Sequence, residues 1–239
     1  MDAAAILLDA IFPGECLACG VHLLHGTLCD TCRMAIAPHR GVFCGACGAA
    51  LPGLRNICHP RVPYLLGAAG EYGDPSLRAL IHALKFARMR AAAEPLADIL
   101  AHYIARLPID LKGMTVIPVP ISAARMRERG FNQATLIAER VARFFGLPLM
   151  KDVLARPVHR DPQSEIDDRA ARRQNVAGCY ALAPPRRGFL RPPPAMEAPR
   201  KVMLIDDVTT SGATFTEAAR TLRAAGTKKI LALAVAKAI

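Results

Sequence analysis

The sequence predicts an α/β protein: a parallel-sheet domain over residues 63–239 behind a small cysteine-rich zinc ribbon over residues 1–62. Three observations carry this expectation. Seven of the eight cysteines lie between Cys16 and Cys58, and six of them form three Cys-x2-Cys pairs. From Asp74 onward, short apolar runs of strand length alternate with segments whose apolar residues recur at helical spacing. Near the C-terminus, VMLIDDVTTSGAT at residues 202–214 passes from an apolar strand through two acids and a hydroxyl-rich loop into a helix.

Composition sets the outer bounds. Of 239 residues, 52% are hydrophobic, which supplies a full core and excludes wholesale disorder. Lys and Arg number 31 against 20 Asp and Glu, and the net +11 predicts an anionic partner: phosphates, nucleic acid or an acidic surface. Four Tyr, eight Phe and no Trp leave little material for a wide base-stacking platform. No apolar run reaches the roughly 18 residues of a membrane span. The start MDAAAILLDAIF carries Asp2 and Asp9 and no early cation, unlike a signal peptide, so a cytoplasmic location is expected.

In the ribbon, two residues between thiols let both sulfurs of one tight turn face a single ion. Two such turns supply a tetrahedral thiolate set suited to Zn²⁺ at about 2.3 Å per bond. Cys16, Cys19, Cys29 and Cys32 form such a set and read as ligands of a structural zinc. Disulfides run against a cytoplasmic setting, and a redox pair needs only one Cys-x2-Cys beside a βαβ unit. The second set is one cysteine short: Cys44 and Cys47 make a knuckle, Cys58 opens another, and Arg61 stands where a fourth cysteine is expected. His59 or His39 could complete it, or the site has lapsed into buried free thiols; the spacing leaves both open. Cys179 lies far from these clusters and reads as a small apolar residue.

The elements that follow can be justified in order. Residues 70–73 read as a turn, and Asp74-Pro75 as a helix start with Asp as cap and Pro at the first helical position. Leu77, Leu80, Ile81 and Leu84 keep helical spacing, as do Leu96, Ile99, Leu100, Tyr103 and Leu107. Residues 115–120 read as a short buried strand ended by prolines, and a helix is expected over 133–145, stopped by Gly146. Residues 184–199 hold six prolines with Arg186, Arg187 and Arg191, a surface loop. A buried strand over 201–205, a helix presenting Phe215, Ala218, Ala219 and Leu222 and ended by Gly226, and a last strand over 230–236 complete a parallel arrangement.

Thr209, Thr210, Ser211, Gly212, Ala213 and Thr214 stand at a helix N-terminus, where free N–H groups and the helix dipole attract a phosphate. Gly212 lets backbone approach closely. Asp206 and Asp207 emerge at the carboxyl end of the strand, where open α/β sheets bind ligands. Two carboxylates would repel the phosphate itself; they suit sugar hydroxyls or a metal-bound water. Neither a Walker A loop nor a dinucleotide fingerprint is present.

This segment resembles the phosphoribosyl pyrophosphate motif of type I phosphoribosyltransferases, in which the acidic pair contacts the ribose 2- and 3-hydroxyls and the loop binds the 5-phosphate. Ile117-Pro118-Val119-Pro120, the run from Arg125 to Gln133 (RMRERGFNQ), Arg160-Asp161-Pro162-Gln163 with Arg169 and Asn175-Val176, and the stretch from Tyr72-Gly73 to Leu84-Lys85-Phe86 narrow the likeness. They resemble the ComF family, which is linked to DNA uptake and natural competence and carries a double zinc ribbon at its N-terminus. The likeness spans nearly the whole chain; the second zinc set lacks a Cys and the Pro-rich loop is long.

The resemblance implies a phosphoribosyltransferase-like domain that binds phosphoribosyl pyrophosphate with Mg²⁺. It makes Asp206 and Asp207 the catalytic pair and residues 209–214 the phosphate loop. Arg125, Arg127 and Arg129 follow the strand whose loop holds pyrophosphate in related transferases; a solvated basic face explains any one of them equally well. Arg160, Gln163 and Arg169 suit a mobile loop that closes over substrate, or a plain connection. Lys85 and Arg88 close a helix, where cations suit the dipole without further function. A second reading is a non-catalytic accessory that binds single-stranded DNA or DNA-uptake proteins, and a third is a ligand-sensing regulator. No short signature identifies an acceptor substrate.

Overall fold

The computed structural model describes residues 14–54, 58–157, 178–183 and 198–238. In the cysteine-rich end, β1 (Gly14–Glu15) and β2 (His22–Leu23) form a hairpin, and α1 (Asp30–Ala35) follows. β3 (Val42–Phe43) pairs antiparallel with β4 (Ala50–Leu51). Such short elements bury little by themselves: α1 has no buried residue.

The chain continues through β5 (Leu65–Glu71), α2 (Pro75–Lys85), a 3₁₀ turn (Arg90–Ala92), α3 (Ala93–Ala105), β6 (Thr115–Pro118), α4 (Ala123–Arg129) and α5 (Gln133–Phe145). Then come β7 (Leu154–Ala155), β8 (Ala181–Leu182), β9 (Lys201–Thr209), α6 (Ala213–Ala224) and β10 (Lys229–Lys237). The expected helix signals act as read. The Asp74 carboxylate accepts from the N–H groups of Ser76 and Leu77 at the start of α2, and Gly146 ends α5 in the left-handed conformation.

Six strands form the main sheet in the order β4-β3-β5-β10-β9-β6. β5, β10, β9 and β6 run parallel, and β3 joins β5 antiparallel through Val42–Gly67 and Phe43–Leu66. The second knuckle's hairpin is therefore an edge of the central sheet, with hydrogen bonding that runs across position 62. Side chains alternate between two cores, as strand geometry requires. Met203, Ile205, Leu231 and Leu233 pack with Leu77, Leu80, Leu100 and Ile137 of α2, α3 and α5. Val202, Leu204, Ile230 and Ala232 pack with Phe215 and Leu222 of α6. Cys179 is fully buried in the second core.

Two local readings need correction. Residues 70–73 are not all turn, because Gly70 and Glu71 end β5. Gly67 and Gly70 disguise this strand: a Cβ at Gly67 would come within 2.7 Å of Leu233 Cδ2, so close packing across the sheet demands glycine there. The strand expected over 201–205 runs on to Thr209, which places both acids inside the ladder. The arginines after β6 stand on a short helix, α4, capped by the Ser122 hydroxyl and closed by left-handed Gly130.

Candidate functional site

The structure gathers two donor sets. In the first, ligand atoms of Cys16, Cys19, Cys29 and Cys32 all lie within 4.8 Å of one another; in the second, those of Cys44, Cys47, Cys58 and His59 do. Cys19 and Cys29 sulfurs are 3.8 Å apart, Cys47 and Cys58 3.4 Å, and Cys44 Sγ lies 3.3 Å from His59 Nδ1. A tetrahedron with bonds of about 2.3 Å has edges of about 3.8 Å, so both sets fit Zn²⁺. His39 is engaged elsewhere, its Nε2 2.9 Å from Glu71 Oε1 and its Nδ1 3.1 Å from the Ala68 carbonyl.

Crowding gives the thiols their acidities. Burial pushes Cys16 up, but N–H donation from Cys29, Cys19 and Ala18 outweighs it and brings the group down to about 6. Hydrogen bonding with Cys29 pushes Cys32 up to about 12, and hydrogen bonding with Cys47 pushes Cys58 up to about 11. Four thiolates in one such space are mutually repulsive, and a dication removes that cost.

The acid pair sits at the carboxyl end of β9, and strand alternation sends its two side chains to opposite faces of the sheet. Asp207, with the parity of Met203 and Ile205, faces α2, where Lys85 Nζ donates to its Oδ1 at 2.8 Å. Both side chains of this pair are largely buried, at 20% and 9% exposure, so the ion pair is a structural contact rather than a surface one. Asp206 faces the α6 side and accepts from the Asp207 N–H at 2.9 Å. Burial and the Asp207 charge push its carboxyl up to about 7, against relief from Lys85, that N–H and Arg156.

Beyond the acids, Thr209 and Ser211 are buried and Thr210 is exposed. Gly212 is left-handed at φ 71° and opens α6 without a side-chain cap, so the first N–H groups of that helix are left for a ligand. Ala213 is buried and Thr214 half-buried in the first turn.

Cations converge on the acids from two directions. Arg129, at the end of α4, is half-buried; burial and Arg125 lower its pKa, while Asp207, Glu128 and Asp206 pull it back up. Its guanidinium carbon lies 5.9 Å from the centre of the Phe86 ring, and Arg90 stands 5.1 Å from the Phe131 ring. Arg156, just after β7, rests 5.4 Å from the ring of Tyr180, and its charge reaches Asp206. The buried Nε atoms of Arg129 and Arg156 have no hydrogen-bond partner among the described residues. Arg125 is half-buried and Arg127 exposed. The Gly130-Phe131-Asn132-Gln133 run is a joint: Asn132 caps α5 through the Ala134 N–H and donates to the Val119 carbonyl. Arg160, Gln163, Arg169 and Asn175-Val176 lie outside the described residues, as do residues 184–197 of the Pro-rich loop.

Lys85 and Arg156 were not legible as site residues. A cation closing a helix suits the dipole anyway, and Arg156 belongs to no motif. Only the packing of α2 and of the paired strands β7 and β8 brings them to the acids.

The acidity of Asp206 has a testable consequence. Its folded value is raised from the ordinary 3.8 to about 7. Between those limits the folded state keeps a proton that the unfolded chain has released, so this group's stabilising contribution falls as pH rises through the window and is flat above it. In urea titrations from about pH 4 to pH 8, wild type should lose stability relative to Asp206→Asn; parallel profiles would refute the burial of this carboxyl.

Comparison with known proteins adds two findings. Residues 7–60 match the double zinc ribbon domain, which together with the two donor sets makes zinc the structural metal of this region. The chain is homologous to Competence protein F of Haemophilus influenzae, at 29% identity over 238 residues, 95% of this chain and 98% of the relative. It is also homologous to DNA utilization protein YhgH of Salmonella typhimurium, at 29% over 220 residues, and of Escherichia coli K12, at 28% over 220 residues; each covers 88% of this chain and 91% of the relative. No helix among the described residues is long and apolar enough to cross a membrane.

Proposed function

We propose that this protein acts in DNA uptake or use and binds Mg²⁺–phosphoribosyl pyrophosphate at the carboxyl edge of β9, as a phosphoribosyltransferase-like protein. The role in DNA handling is supported by the names of the homologues. The ligand is supported by one juxtaposition: two carboxylates followed by the uncapped N-terminus of α6, with Lys85, Arg129 and Arg156 in electrostatic reach.

Each part has its chemistry. Asp206 and Asp207 accept hydrogen bonds from the two ribose hydroxyls, and the hydroxyls and N–H groups of residues 209–214 surround the 5-phosphate. Arg129 and Arg156, each with an unpartnered Nε, offer charge to pyrophosphate as its bond to C1 breaks and a bond from C1 to the incoming nucleophile forms with inversion. The carboxylates are hard oxygen donors of the kind Mg²⁺ takes. When bound with the ligand, Mg²⁺ supplies further neutralisation of pyrophosphate charge. Lys85 holds Asp207 in one orientation beside the sugar position.

A second reading, a non-catalytic accessory that holds single-stranded DNA, is supported by Phe86. This residue is 59% exposed beside Arg129, an arrangement suited to stacking a base next to a phosphate. Calorimetric titration separates the two. Asp206→Asn and Asp207→Asn should each weaken phosphoribosyl pyrophosphate binding roughly ten- to a hundred-fold, the value of a charge-assisted hydrogen bond, without unfolding the protein. Absence of binding to wild type, with oligonucleotide binding that ignores both substitutions, would leave the accessory reading.

A further inference from the structure

We propose that the second metal knuckle is the wall that holds the phosphate loop, with Tyr64 as the positioning residue between them. The metal set of Cys44, Cys47, Cys58 and His59 and the loop at residues 209–214 then stabilise each other. Only the ligand arm of the test below rests on the function proposed for that loop.

The contact is direct. Gly45 lies between two donors of the second set, Cys44 and Cys47, so one bound ion fixes its backbone. A Cβ on Gly212 would come within 2.7 Å of the Gly45 carbonyl oxygen and 3.0 Å of the Tyr64 oxygen. A Cβ on Gly45 would come within 2.5 Å of the Tyr64 ring. Two glycines, one per element, therefore let the knuckle and the loop touch backbone to backbone.

Tyr64 joins them. Its phenolic oxygen lies 3.2 Å from the Gly45 carbonyl, 3.1 Å from the Gly212 carbonyl and 3.1 Å from Thr216 Oγ1. It has one proton to donate, and the Thr216 hydroxyl already donates its own proton to the Gly212 carbonyl at 2.9 Å, so the Tyr64 proton is shared among the two carbonyls and Thr216 Oγ1. The residue is 3% exposed and its ring packs 6.3 Å from Phe215, which anchors it in the core beneath α6. Knuckle, loop and helix thus meet on one buried hydroxyl, where an unmade bond is costly. The first donor set docks elsewhere: the Ser76 hydroxyl of α2 donates to the Cys32 carbonyl, and Arg33 approaches Asp98 of α3.

If the two sites share this joint, each must strengthen the other by the same factor. The test uses full-length, zinc-loaded protein. Tyr64→Phe should keep both zinc ions by elemental analysis, yet raise amide hydrogen exchange across residues 209–216 about tenfold, within the usual range of coupling between sites. Cys47→Ser should lose one zinc and raise exchange in the same residues. Cys19→Ser should lose one zinc and leave them unchanged. In wild type, phosphoribosyl pyrophosphate with Mg²⁺ should slow exchange there and make the second zinc about tenfold harder to remove by competition with a chelator.

Wild-type loop exchange in Tyr64→Phe overturns the role of Tyr64, and an equal response to Cys19→Ser overturns the specific coupling. If phosphoribosyl pyrophosphate does not bind wild type, the ligand assignment fails while the three exchange comparisons still decide the coupling.

Discussion

Stripping zinc from the purified protein should unfold the first knuckle outright. Nothing in residues 14–36 forms a core of its own: β1 and β2 have two residues each, α1 has no buried residue, only Cys16, Leu28 and Ile36 are buried, and Leu17, Ala18, Leu23, Cys29 and Cys32 pack against the main core half-buried. Zinc binding at structural sites contributes about 10–16 kcal/mol in small metal-folded peptides at neutral pH, more than a segment of this kind can replace. Elemental analysis should find two zinc ions per chain, and Cys16→Ser should remove one. Amide exchange over residues 14–36 should then approach that of an unfolded peptide, while the main sheet keeps its protection. The second knuckle should respond less, because Val42, Cys44 and Leu51 are buried in the core and β3 is hydrogen-bonded to β5. A metal-free ribbon that stays protected would sink the structural assignment of zinc.

Gly212→Val should be the most damaging single substitution in the loop at residues 209–214, for two separable reasons. The backbone at φ 71° costs a side chain about 1–2 kcal/mol, and a β-branched one more. The added Cβ would also meet the Gly45 carbonyl at 2.7 Å, so the loop and the knuckle must part. Overpacking of this sort costs about 1–3 kcal/mol, giving a combined loss of roughly 2–5 kcal/mol. Urea unfolding should show that loss, and phosphoribosyl pyrophosphate binding should fall by more than in either Asn variant. Gly212→Ala, which makes the same first clash without branching, should fall between. Wild-type stability in Gly212→Val would mean that the loop does not sit against the knuckle. Close approach to a phosphate is the reason for glycine that the motif suggests; the structure adds a second, since the space beside Gly212 is already filled by Gly45.

Much of this molecule is written in short windows of sequence. The Cys-x2-Cys pairs place two sulfurs on one turn whatever surrounds them. Asp74 and Pro75 start α2, Gly146 stops α5, and the apolar alternation of β9 and β10 follows from strand geometry. The passage from strand to paired acids to hydroxyl loop to helix is also a local pattern, which is why residues 206–214 could be named in advance. β5 was lost because its glycines, needed for packing under Leu233 and Leu77, look like turn residues when no neighbour is in view.

Contacts between distant residues were decided by the fold. Spacing offered His59 as the fourth ligand, with His39 as another possibility; the structure sends His39 to Glu71 and brings His59 to Cys44. Lys85 became the partner of Asp207, and Tyr64 the link to Gly212, a residue 148 positions away. The physical reason is the range of the forces involved. Capping, periodicity and chelation by a tight turn act over a few residues and leave a local mark. An ion pair or a shared hydroxyl depends on where the sheet places α2, the knuckle and the loop, and residue types alone do not specify that placement.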